Sequence, residues 1–223
     1  QSQLLHRTTR HVSLTDAGRT FLEHCQQLIG DREEAIAMMS EKGEPQGDLR
    51  ITCSTSMGER FVAKIVQSYT RDHPKLNVSL ELTNRVVDLV AEGFDLAIRT
   101  GNLADSRLIG TRIASRSLLT CASPSYIEEA GVPRVINDLS SHECLIGTAT
   151  IWHFHDGGTD MLFRPKGRMR CNSGTAVVEA ALSGMGVCQL PEFYVVPHLA
   201  NGALIPILSD YAPNDEPIWA VYP

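Results

Sequence analysis

The chain has 223 residues, 43% of them hydrophobic and 21% charged, with a formal charge of −6; this is enough for one large domain or two smaller ones around an ordinary core. No apolar run approaches the roughly 18–20 residues that span a bilayer, and the polar, basic first residues lack the apolar core of a signal peptide, so the expectation is a cytoplasmic protein without a membrane segment. The six cysteines (Cys25, Cys53, Cys121, Cys144, Cys171, Cys188) form no Cys-x-x-Cys pair and have irregular gaps, which argues against a disulfide scaffold or zinc site.

The charge is unevenly divided. "LLHRTTRHVSLTDAG" (Leu4 to Gly18) has two arginines, two histidines and no acid before Asp16. Residues 1–15 carry +2, leaving 18 basic against 26 acidic residues, or −8, for residues 16–223. Most of such a molecule repels a polyanion, and its tip attracts one. Thr15-Asp16 then predicts a helix start, with Thr15 as cap and Asp16 at the positive end of the dipole. No proline interrupts residues 16–42, and Phe21, Leu22, Cys25, Leu28, Ile29 and Ile36 mark an apolar stripe. About 27 helical residues would extend roughly 40 Å. The stripe has nothing nearby in sequence to cover it. Two partners are open to it: a second copy of the chain, or the helix's own domain.

"EKGEPQGD" (Glu41 to Asp48) is a breaker and places a hinge at residues 44–47. After it the period changes. "LRITCS" is a strand; Met57, Phe61, Ile65 and Tyr69, spaced by four, mark a helix stopping before Pro74; "LNVSLELT" alternates as a strand; "RVVDLVAEG" is a short helix ending at Gly93; "FDLAIRTG" is a strand. This alternation predicts an α/β fold with a parallel sheet and right-handed crossovers. A second α/β region follows: strands at "ECLIG", "WHFHD" and "DMLFRPKGRMRCN" around Gly157-Gly158, a helix in "SGTAVVEAALSGMG", then strands at "VCQLP", "ALIPIL" and "PIWAVY".

The opening stretch resembles the wing and linker-helix start of LysR-type transcriptional regulators, which read roughly Leu-Phe-x-Arg-x-x-Arg and then Leu-Thr-x-Ala-Gly. Leu5, Arg7, Arg10, Leu14, Thr15, Ala17 and Gly18 fill those places; His6 departs from them. "GDLRITCS", "FDLAIRTG" before Asp105 to Leu108, "LLTCASPSYI" and "ALSGMGVCQLP" match further, in the family's order and over nearly the whole chain. The resemblance implies a two-lobed, periplasmic-binding-protein-like (type 2) effector domain behind a long linker helix and a winged helix-turn-helix. It implies transcriptional control tuned by a small molecule, a dimer through the linker helix, and a tetramer built from two dimers. By this reading residues 1–15 are a wing remnant, with the recognition helix expected in a segment ahead of Gln1. Residues 16–43 are the dimerisation helix, 44–47 the hinge and 48–223 the effector domain, with lobe I about 48–121 and 206–223 and lobe II about 122–205. A final helix is expected beyond Pro223.

A wing touching the backbone of promoter DNA needs guanidinium and hydroxyl donors and no carboxylates, the roles expected of Arg7, Thr8, Thr9 and Arg10. In a two-lobed domain, ligands bind beyond the carboxyl ends of strands. "CSTSMG" places Ser54, Thr55 and Ser56 at one helix start, and "CNSGTA" places Asn172, Ser173, Gly174 and Thr175 at another. Each turn suits the carboxylate of a small anionic effector, and each suits plain helix capping. Arg99, before Thr100, pairs either with such an anion or with a structural acid. Gly147 and Thr148 line the second lobe, with Gln189 and Pro191 at a similar level. Thr120 and Ser123 are expected where the chain crosses between lobes. His153 and His155 share a strand face without a third metal ligand; Trp152 is a candidate wall of the pocket. No catalytic motif or cofactor signature is present, so the chain reads as a sensor rather than an enzyme. An exported solute-binding protein and a thiol sensor using Cys171 are the alternatives.

Overall fold

A computed structural model describes residues 3–7, 12–39, 44–101 and 108–223. They form two compact units, residues 1–47 and 48–223.

In the first unit, β1 (Leu5–Arg7) and β2 (Val12–Leu14) pair antiparallel, with Leu5 opposite Leu14. The helix α1 (Asp16–Met39) follows. Thr15 caps it as its sequence position predicts. Its hydroxyl accepts from the Gly18 amide at 2.9 Å and donates to the Gln3 carbonyl at 2.7 Å, and its amide donates to the Leu4 carbonyl at 3.0 Å. A Cβ at Gly18 would overlap that Leu4 carbonyl oxygen, so this glycine is a packing requirement. Phe21, Leu22, Leu28 and Ile29 are exposed on the single chain and Cys25 is half-buried. Arg7 lies in β1, while Thr8, Thr9 and Arg10 fall outside the described residues, as do Asp105 and the Ile36 side chain.

The second unit holds two sheets. Lobe I is a five-stranded sheet ordered β4-β3-β5-β13-β6, with β3 Gly47–Cys53, β4 Leu76–Leu82, β5 Leu96–Thr100, β6 Ile109–Arg116 and β13 Glu216–Tyr222. β3 and β5 are parallel, whereas β13 runs antiparallel to β5 and β6. Strand alternation gives the sheet two cores. Cys53, Ile98 and Ile218 pack with Met57 and Val62; Ala97 and Val221 pack with Val87, Leu89 and Phe94. The first helix of this lobe is not a regular stripe. It runs α2 (Thr55–Met57), a π turn at Gly58–Val62, then α3 (Ala63–Asp72). The extra residue in the π turn moves the buried line from Met57 to Val62 and Val66. Phe61, Ile65 and Tyr69, in phase with Met57 on an ideal helix, are therefore exposed. A short helix α4 (Leu89–Glu92) is capped by the Asp88 side chain and ends at Gly93 with φ 68°.

Lobe II is a four-stranded sheet ordered β12-β7-β11-β8, with β7 Leu118–Ala122, β8 Cys144–Leu145, β11 Val187–Pro191 and β12 Ile205–Pro206. α5 is Pro124–Ala130, α6 Gly174–Leu182 and α7 Glu192–Ala200. The hairpin of β9 (Trp152–Asp156) and β10 (Thr159–Phe163) turns at Gly157-Gly158 as the sequence predicts. Both lobe boundaries read from sequence need correction. β7 pairs with β11 and β12, so the outward crossing falls at Ser117 rather than residue 121. β12 also belongs to lobe II, so the return falls just before Glu216 rather than at residue 206. Thr120 and Ser123 thus lie beyond the crossing, Thr120 within β7 and Ser123 as the cap of α5.

Thr52 in β3 is fully buried, and its hydroxyl has no hydrogen-bond partner among the described residues. An unsatisfied buried hydroxyl costs about 1–3 kcal/mol. Thr52→Val is expected to raise unfolding stability by about 1 kcal/mol in urea titration with an unchanged slope; an unchanged or lowered midpoint would contradict this account of the hydroxyl.

Candidate effector cleft

The carboxyl ends of β3, β4 and β5 face the carboxyl ends of β8 and β11 across a cleft of about 490 Å³. All eleven residues expected from sequence to bind the effector line it: Ser54, Thr55, Ser56, Arg99, Thr100, Gly147, Thr148, Asn172, Ser173, Thr175 and Gln189. Register explains the convergence. Cys53 pairs with Ile98, which brings the Ser54 turn beside Arg99 and Thr100.

The two helix starts differ chemically. At α6, Ser173 does what a capping residue ordinarily does: its hydroxyl accepts from the Ala176 amide at 3.4 Å. At α2, Ser54 makes no side-chain capping bond. The Thr55 amide instead donates to Oδ1 of Asn84 at 3.2 Å, and Asn84 Nδ2 donates to the Asn172 carbonyl of lobe II at 2.9 Å. One carboxamide therefore joins the two turns. Thr148 donates to the same Asn172 carbonyl at 3.3 Å.

Arg99 carries the electrostatics. Its Nη2 is buried without a hydrogen-bond partner, and the guanidinium has no carboxylate partner among the described residues. Burial lowers its pKa from the ordinary value, and the neighbouring Cys53 opposes that shift. Burial also pushes the Cys53 thiol up to about 11. Arg85 and Arg116 reach the same cleft in a different condition. Arg85 is held bidentately by Glu92, with Glu81 at 3.6 Å. Arg116 is paired with Glu216 at 2.7 Å.

Several expectations change here. Gln189 lines the cleft, but both ends of its carboxamide are used within lobe II. Oε1 accepts from the His153 amide at 3.0 Å, while Nε2 donates to Thr120 Oγ1 at 3.2 Å and the His153 carbonyl at 2.8 Å. Trp152 is no cleft wall: it is 1% exposed and packs in the lobe II core against Phe163. His153 lines the cleft, whereas His155 pairs with Asp160 at 2.9 Å. No group of His, Cys, Asp or Glu among the described residues could hold a metal. Cys171 packs against the lobe II core, and all six cysteines are free. Asn84, Arg85, Arg116, Glu216 and Tyr194 were missed from sequence. For Tyr194 a signal existed: Gly174, where a Cβ would strike the Tyr194 ring, sits at the start of α6.

Residues 42–223 match the LysR substrate-binding domain. The chain belongs to the LysR family of transcriptional regulators. It is 32% identical over 225 residues to the HTH-type transcriptional activator TtdR of Escherichia coli K12, covering 98% of this chain and 72% of that protein. It is 31% identical over 228 residues to an HTH-type transcriptional regulator of Haemophilus influenzae, covering 100% and 79%. Full-length AphB, a virulence activator of Vibrio cholerae, superposes with a TM-score of 0.72 at 26% identity, and CrgA, a LysR-type regulator of Neisseria meningitidis, with 0.68 at 28%; each alignment covers 99% of this chain and 77% of the other. These relatives are transcriptional regulators, and an exported solute-binding protein is not favoured. No helix among the described residues is long and apolar enough to cross a membrane.

The Asn84 bridge should contribute measurably to holding the lobes. Asn84→Ala removes an acceptor and a donor and is expected to cost about 1–2 kcal/mol, read as a lowered urea midpoint; a midpoint equal to the parent's would show that the bridge contributes nothing.

Proposed function

We propose that this LysR-family regulator binds a small anionic effector in the cleft of residues 48–223, and that occupancy alters its binding to promoter DNA. The observation carrying this reading is Arg99, a partly buried guanidinium with an unsatisfied donor, beside a helix start whose serine is not spent on capping. Leaving a buried charged donor unpaired is costly, and a ligand carboxylate removes that cost with a charge-assisted bond. Ser54, Thr55, Ser56 and Thr100 supply polar groups from lobe I; Gly147, Thr148, Asn172, Ser173 and Thr175 supply them from lobe II. The chain acts as a sensor without catalysis. Its effector shifts the lobes only by binding their arrangements with different affinity.

The DNA contact falls to Arg7, Thr8, Thr9 and Arg10, which provide backbone affinity without base reading. The exposed apolar side chains of α1 pair it with a second copy, and two such dimers form the working tetramer. Leu28→Glu is expected to shift the chain toward monomer in light scattering; an unchanged mass would place the dimer contact elsewhere.

The decisive test is calorimetry of small carboxylates against the whole chain and its Arg99→Met variant. The substitution keeps bulk and removes charge, so affinity should fall about 10- to 100-fold, as for a lost charge-assisted pair. Equal affinity in both proteins would remove Arg99 from the site.

A further inference from the structure

We infer that the cleft selects a monoanion with an apolar body over a dianion of the same length. This rests on the anion reading above and adds which anions qualify.

The three guanidiniums that reach the cleft are not equivalent. Arg116 and Glu216 form a close pair, Nε to Oε2 at 2.8 Å and Nη2 to Oε2 at 2.7 Å, with side chains only 18% and 24% exposed. They stand opposite each other in the β6–β13 register, so the backbone holds the pair in place. Arg85 is bound by both oxygens of Glu92 and flanked by Glu81. Glu59 brings a further carboxylate to the lining. Arg99 alone among these three offers a charge without a carboxylate partner. One end of a ligand is therefore matched. A second carboxylate would meet Glu59 or Glu216, or would have to break the Arg116–Glu216 pair and strand a poorly solvated carboxylate.

The remaining lining suits an uncharged body. Beyond the hydroxyls and amides of the two turns, Ile98, Leu118, Leu190, Pro191 and Tyr194 give it an apolar share. The volume of about 490 Å³ lies within the range of small-ligand sites and leaves room beyond one carboxylate. Arg60 stacks over the Tyr194 ring at 4.9 Å, which holds that wall in place. The charge pattern and the apolar lining point to the same ligand: one carboxylate at Arg99, then a medium-length alkyl or aryl group.

Hexanoate and adipate test this directly, because they have the same carbon number and differ by a terminal carboxylate. Titrated calorimetrically into the whole chain at matched ionic strength, hexanoate should bind at least tenfold more tightly than adipate, with benzoate against terephthalate giving the same order. Glu216→Gln frees Arg116 and should narrow or invert the ratio. Should that variant fail to fold, Glu81→Gln combined with Glu92→Gln frees Arg85 on the exposed rim and serves the same purpose. Adipate binding as tightly as hexanoate to the parent, with both weakened in Arg99→Met, overturns the inference and leaves the anion reading intact. A parent preference for hexanoate that neither glutamine variant reduces also overturns it, since carboxylate neutralisation is then not the cause. If neither acid of either pair binds, or binding ignores Arg99→Met, the underlying anion reading fails as well.

Discussion

Two neighbouring chain crossings set everything the cleft can do. The chain leaves lobe I at Ser117 and returns just before Glu216, and the two passages are tied side by side. The Ser117 hydroxyl donates to Asp215 at 2.7 Å, and Arg116 pairs with Glu216 at the same distance. This pair lies at the crossings and lines the cleft. Because Arg116 lines the cleft and is already paired with Glu216 on the neighbouring strand, it cannot turn to a ligand without breaking that pair. Arg99, whose strand end lies between these crossings and the first helix start, is the cleft guanidinium without a carboxylate partner among the described residues.

Capping shows how similar sequences acquire different roles. "CSTSMG" and "CNSGTA" each offer a serine before a helix. At α6 the serine caps and is consumed. At α2 the serine does not cap, and Asn84 accepts from the Thr55 amide, one position ahead of the amides a cap would take. The π turn that follows within the same helical run is a second local departure. It costs regularity but rotates Val62 and Val66 inward, and it leaves Phe61 to meet Phe193 of lobe II edge-on at 5.5 Å. These departures occur where the two lobes meet, which is where a binding site should break local rules.

Most element types and the cleft-facing turns were legible because they depend on local period and on strand ends, whereas the helices α5 and α7 were not read. The eleven expected lining residues all come from such turns or strand ends. What escaped depends on distant pairing. The crossing at Ser117 follows from β7 choosing β11 as partner, a choice sequence period does not encode. Asn84 sits in an unremarkable loop and matters only because two turns far from it in sequence converge there. Trp152 looked available for a ligand, yet strand alternation gives it and Phe154 to the core and leaves His153 at the cleft. The helix marked by Met57, Phe61, Ile65 and Tyr69 is present, but the π turn within it moves the buried line to Val62 and Val66, which spacing by four does not show.

The same bonds constrain how a ligand could be sensed. The Asn84 carboxamide already joins lobe I to lobe II without any effector. A ligand that takes the Thr55 amide for itself competes with Oδ1 of Asn84 and weakens the bridge, favouring separation of the lobes. A ligand anchored at Arg99 that also reaches the Thr148 and Thr175 side of the cleft adds to the bridge and favours the arrangement described here. The direction of the response is therefore a property of where the carboxylate sits, by a few hydrogen bonds' worth of differential affinity.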